Sequence, residues 1–158
     1  MPEVKTMNML LIVTCAAVYV LWGQPGWLLD GPLALRMASY HIFHANIAHL
    51  AVNSIAMLTL FPARRRDNLR RLAEGYVIAS LVYPLSAIPC IGMSNIIYAV
   101  IGLRAPALSD RWWRTPPVLT FLVVTLLMPL LPGVAGLTHI VSLAAGVAVS
   151  YTVRPWRD

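Results

Sequence analysis

Gly92-Met93-Ser94-Asn95-Ile96-Ile97-Tyr98-Ala99-Val100-Ile101-Gly102-Leu103-Arg104 is the stretch on which the fold turns. Nine residues separate Ser94 from Arg104, and nearly all are apolar. At about 1.5 Å of rise per residue, such a helix falls short of a bilayer, which takes about 20 residues to cross. A helix this short is tolerated in hydrocarbon only when other helices surround it and its upper end faces a protein-lined cavity. A serine at that upper end is therefore a polar group in an apolar setting, and polar groups there mark function by default.

The rest of the chain agrees with a membrane setting. Of its 158 residues 59% are apolar and 11% charged, against about 25% charged in soluble domains. Apolar segments run over about 7–22, 42–62, 72–90, 93–108, 117–133 and 136–153, and several are short for a span. Prolines at 84, 89, 116, 117, 129 and 132 punctuate the ends of the third and fifth. The expected fold is all-α: one domain over residues 1–158, a polytopic bundle of six transmembrane helices. The first segment reads as a retained span, not a signal peptide, because no Ala-x-Ala site follows it. No internal repeat supports a transporter built from two halves.

Charge sets the orientation. Lys5, Arg64, Arg65, Arg66, Arg70, Arg71, Arg104, Arg111, Arg114, Arg154 and Arg157 fall on one side, and only Arg36 on the other. The positive-inside rule makes the first side cytoplasmic, so both termini lie inside. The expected location is a prokaryotic inner (cytoplasmic) membrane, crossed several times. The net charge of +6 belongs to this topology, and no basic face with interleaved aromatics points to nucleic acid. Cys15 and Cys90, both in apolar segments, form neither a disulfide framework nor a metal motif.

Helical rise places the polar residues at similar depths above the arginine boundary. Ser94 lies about 15 Å up, Asn53 about 17 Å, and His49 and His139 about 23 Å. Against a hydrocarbon core of about 30 Å, all four sit in the outer half. Together they supply what acyl transfer needs. A serine hydroxyl becomes a nucleophile when an adjacent base takes its proton, and His139 is that base. His49 and Asn53 are four apart and share a helix face, so both can point at one oxyanion. Ser94 opens its helix, and its backbone N–H is a further free donor. All six acidic residues lie in loops or near span ends, so the pair is a dyad without an orienting carboxylate.

These residues resemble the rhomboid intramembrane serine proteases over nearly the whole chain. His44-x4-His49-x3-Asn53 is similar to the family's second-helix motif. Gly92-x-Ser94-x3-Tyr98-x3-Gly102 is similar to its nucleophile helix, and Thr138-His139 with Gly146 to its last helix. Arg36 falls where the family has a Trp-Arg pair in its first outer loop. The resemblance implies Ser94 as nucleophile and His139 as base. His49, Asn53 and the Ser94 amide would form the oxyanion site, Tyr98 would pack on His139, and His44 would support the site or its water. It also implies cleavage of transmembrane protein substrates near the outer interface, at small residues beside helix-weakening ones, with no cofactor or metal.

The chain departs from the family pattern at four points. Asn95 replaces a second glycine and puts a polar amide next to the nucleophile. Ser142 replaces a glycine, Leu35 replaces the tryptophan of the loop pair, and Arg64-Arg65-Arg66-Asp67 stands where a glutamate is expected. The alternative reading is a catalytically weak or inactive relative that binds transmembrane helices, with Asn95 as its support. Haem or metal binding through His44, His49 and His139 is a third. It is disfavoured because residues 44 and 49 lie about 140° apart around a shared helix. Tyr40 and His41 are expected at the outer interface without a chemical role, as is Asn46. Gly136, Ser142, Gly146 and Ser150 read as helix packing, and Trp112 and Trp113 as an interfacial belt.

Overall fold

The structure, a computed structural model, describes residues 4–23, 30–60, 67–86, 90–105, 114–127, 130 and 135–153. Its α-helices are α1 (Val4–Trp22), α2 (Leu33–Ser39), α3 (Ile47–Leu60), α4 (Asp67–Val82), α5 (Ser94–Leu103), α6 (Pro116–Leu127) and α7 (Gly136–Val153). Single 3-10 turns occupy Tyr40–Ile42 and Tyr83–Leu85. No strand occurs among the described residues, so the chain is all-α as far as they reach. Arg64, Arg65, Arg66, Arg111, Arg154 and Arg157, expected to mark the cytoplasmic side, and Trp112 and Trp113, expected as an interfacial belt, lie outside the described residues.

Helix boundaries follow local chemistry. The segment expected over 42–62 becomes an α-helix only at Ile47, because residues 43–46 bend and Asn46 caps the helix that begins after it. The Asn46 Oδ1 accepts the His49 backbone N–H at 2.8 Å, filling one of the partnerless amides of a first turn. The third segment starts earlier than its apolar run, at Asp67, where an exposed Arg70–Glu74 pair at 2.8 Å joins adjacent turns. It ends where Pro84 enters the 3-10 turn and removes a donor. The last segment is helical over the expected 136–153.

Among the described residues no single helix is long and apolar enough to cross a membrane alone. Residues 33–42 and 47–60 together pass that test, but the pair is bent by 75°.

α5 is the axis of the fold. All ten of its residues are buried, with α7 against one side and α4 against another. The crossing of α5 and α7 brings backbone against backbone. A side chain at Gly102 would run into the Leu143 carbonyl and lie 3.0 Å from Gly146 Cα. One at Gly146 would run into the Ala99 carbonyl. Met57, Leu60, Met93, Ile97 and Ile101 fill the centre between α3 and α5. The outward faces are apolar too. Val20, Leu21, Ile47, Leu58, Leu81, Val123, Leu127 and Leu137 are all exposed.

Candidate active site

Three helices deliver the expected polar residues to one place. Ser94 begins α5 and His139 lies in the first turn of α7. The Ser94 hydroxyl is 2.9 Å from His139 Nε2, and both residues are buried. For the serine to donate to Nε2, the ring proton must sit on Nδ1. That Nδ1 is buried with no hydrogen-bond partner among the described residues. The imidazole is held by packing instead. The Tyr98 ring, one turn below Ser94 on α5, lies 4.7 Å from the His139 ring and tilted by 34°. Phe121 of α6 lies 4.6 Å from Tyr98 and steadies it in turn. Spacing within α5 made Tyr98 legible; nothing in the sequence marked Phe121.

Gly92 is the meeting point of the donors. Its φ is +113°, a conformation glycine adopts freely. A Cβ there would lie 2.7 Å from His49 Cε1, 3.0 Å from His49 Nε2 and 3.2 Å from Asn53 Nδ2. The missing side chain is thus the space that His49 and Asn53 occupy beside the turn that leads into Ser94. His49 Nδ1 weakly accepts the Ala45 N–H at 3.5 Å, which leaves Nε2 as the protonated, donating nitrogen. Asn53 is 3% exposed, and its Nδ2 is a buried donor with no partner among the described residues. Buried donors without acceptors are rare and point to a ligand, ion or water they await.

The remaining residues diverge from expectation. His44 is not on a helix with His49: it precedes α3, so the angular argument against a shared metal does not apply. Its ring lies 5.2 Å from the His49 ring, edge-on at 63°, and braces it. Among the described residues no group of three or more His, Cys, Asp or Glu is placed to hold a metal ion. Asn95 is regular helix, and its amide turns from Ser94 to the Tyr40 hydroxyl at 3.1 Å and the Cys90 sulfur at 3.7 Å. Tyr40 and His41 are buried inside the protein: each is 1% exposed. The 3-10 turn directs them inward, where the Tyr40 hydroxyl donates to the Ala79 carbonyl at 3.0 Å and His41 Nε2 pairs with Ser80 Oγ at 3.0 Å. Ser142 is fully buried at the α5–α7 crossing side, and the Ser150 hydroxyl donates to the Val147 carbonyl at 2.6 Å.

A cavity of about 880 Å³ opens onto the pair. Ser94, Tyr98 and His139 line it together with His49 and Asn53, while Val52, Ile55, Phe121 and Val124 form its apolar walls from α3 and α6. Asn46, expected as a plain interfacial residue, and Cys90 line it as well. The arrangement gathers a hydroxyl, an imidazole paired with it and further buried donors around one shared space, the kinds of group that acyl transfer uses. No protein-family model and no curated protein matches the chain.

Proposed function

We propose that this chain is a rhomboid-type intramembrane serine endopeptidase that cleaves transmembrane proteins near the outer face of a prokaryotic cytoplasmic membrane. The observation that carries the reading is the 2.9 Å pairing of Ser94 Oγ with His139 Nε2 at the wall of an apolar cavity. The exposed apolar faces of α1, α3, α6 and α7 support a lipid setting, since monomeric soluble proteins rarely leave large contiguous apolar surface uncovered. In this reading the chain crosses the bilayer six times with both termini cytoplasmic, and α5 is the short inner helix that other helices shield.

The chemistry follows from the geometry. As Ser94 Oγ attacks a peptide carbonyl, its proton passes to His139 Nε2. The carbonyl oxygen becomes an oxyanion, which His49 Nε2, Asn53 Nδ2 and the Ser94 amide stabilise. His139 then protonates the leaving amine, the C–N bond breaks, and an acyl-serine remains. Water, deprotonated by the same imidazole, hydrolyses that ester and returns the serine. Tyr98 keeps the ring in place, since no carboxylate among the described residues pairs with its Nδ1.

The test is covalent labelling with a fluorophosphonate beside cleavage of a transmembrane reporter. Wild type takes the label and cuts; Ser94→Ala and His139→Ala do neither. Cleavage by the Ser94→Ala protein at the wild-type rate overturns the reading. A folded wild type that takes no label favours a non-catalytic protein that binds membrane helices.

A further inference from the structure

One residue outside the cavity holds the nucleophile's turn from two sides. The Tyr40 backbone carbonyl accepts the Gly92 N–H at 2.9 Å. The Tyr40 hydroxyl accepts the Asn95 amide at 3.1 Å and donates to Ala79 of α4 at 3.0 Å. Met93 and Ser94 are thus bracketed by two anchors from a single residue, itself fixed to a third helix. Neither Tyr40 nor Asn95 lines the cavity.

That bracket falls at the start of α5, where helical hydrogen bonding constrains the backbone least. The first amides of a helix have no intrahelical acceptor, and Gly92 at φ +113° permits the preceding turn many settings. Ser94 could pivot about that turn while α5 stayed packed. His139 is on α7 and His49 and Asn53 are on α3, so a pivot would change all three separations at once. The Tyr40 hydroxyl is satisfied as donor and as acceptor, and breaking a buried arrangement of that kind is unfavourable.

We propose that Tyr40 and Asn95 are positioning residues, their hydrogen bond setting the height and rotation of Ser94 against His139 and the His49–Asn53 pair. This rests on Ser94 and His139 being a working dyad. Asn95 is then the residue that locks the reactive turn onto the preceding segment, in a position where a glycine would leave it untied.

The experiment is saturation labelling of the full chain in detergent by a long-chain alkyl fluorophosphonate, which separates the maximal labelling rate from the half-saturating concentration. Wild type, Tyr40→Phe, Asn95→Leu and the double variant are compared, with Asn95→Gly in parallel because it removes the amide without adding bulk. Each single variant loses about tenfold in maximal rate at an unchanged half-saturating concentration, as a misplacement well under 1 Å would cause. The double variant loses no more than the worse single one, because the shared bond is already gone. Thermal midpoints are measured beside the rates; a merely structural role moves the midpoint and leaves the maximal rate at low temperature untouched. Variants that label at the wild-type maximal rate, or losses that multiply in the double variant, overturn the proposal. Wild type that takes no label overturns the dyad and this proposal with it, whereas labelled wild type with unaltered variants overturns this proposal alone.

Discussion

The Ser94 hydroxyl and the His139 imidazole, 45 positions apart in the chain, meet at 2.9 Å because α5 and α7 cross with almost no side chain between them. Gly102 and Gly146 allow the backbones to touch one or two turns below the pair. That approach sets how far His139 can lie from the start of α5. The small residues and the Ser94–His139 pair are therefore one device, backbone packing below and the hydroxyl–imidazole contact above.

The packing half of the device is testable through glycine substitutions. A Cβ at Gly102 or Gly146 meets fixed backbone, so Gly102→Ala and Gly146→Ala each destabilise by about 3 kcal/mol or more. At Gly75 a Cβ would lie 2.5 Å from a methyl of the buried Val100, which is stiff at χ1 in a helix, and 3.2 Å from the Ile96 carbonyl, so Gly75→Ala costs about 2–3 kcal/mol. Gly23 has φ +59° and open space around it, so Gly23→Ala costs only about 1 kcal/mol. Thermal midpoints in detergent should rank the four in that order.

Asn53→Ala should separate activity from stability. Its Nδ2 has no protein acceptor among the described residues, so truncation breaks no bond through that atom. The labelling rate is expected to fall about 10²–10³-fold, the usual loss for one oxyanion donor. The thermal midpoint should stay near that of wild type. A variant that keeps its rate would remove Asn53 from the oxyanion site.

Gly92→Ala attacks the same donors from the other side. The new methyl would press on His49 and Asn53 and force a strained φ of +113°. Strain of this kind costs about 1–3 kcal/mol, and the displaced donors should lower labelling about 10²-fold. Far-ultraviolet circular dichroism should still show a helical protein; wild-type labelling by this variant would mean that the donors do not act beside Gly92.

Asn46→Ala should remove the cap of α3. The lost bond to the His49 N–H is worth about 1 kcal/mol, and Asn46→Asp or Asn46→Ser should retain most of it. Because His49 takes its backbone setting from that cap, the alanine variant should also label more slowly than either conservative one. Equal midpoints for all three would show that Asn46 does not start the helix.

Part of this protein could be read directly from residue order. The pairs His49–Asn53 and Ser94–Tyr98 are each four apart, and helix geometry alone puts such pairs on one face. The last helix was legible over 136–153 because its apolar run and its ends coincide. The need for glycine at 92, 102 and 146 was legible only as a pattern; its reasons are two different close approaches, of His49 and Asn53 to Gly92 and of α5 to α7 at Gly102 and Gly146.

The connections between segments were not legible. Tyr40 and His41 look interfacial in the sequence, and the 3-10 turn buries both. Asn95 looks like an amide beside the nucleophile, and packing turns it onto Tyr40 instead. Phe121 looks like any apolar residue of its segment, and it stacks on Tyr98. Local spacing is fixed by the 3.6-residue turn and so survives in a one-dimensional string. The bend at 43–46, the approach of α5 to α7 and the tie from Tyr40 depend on which distant surfaces fit together, and only the folded chain decides that.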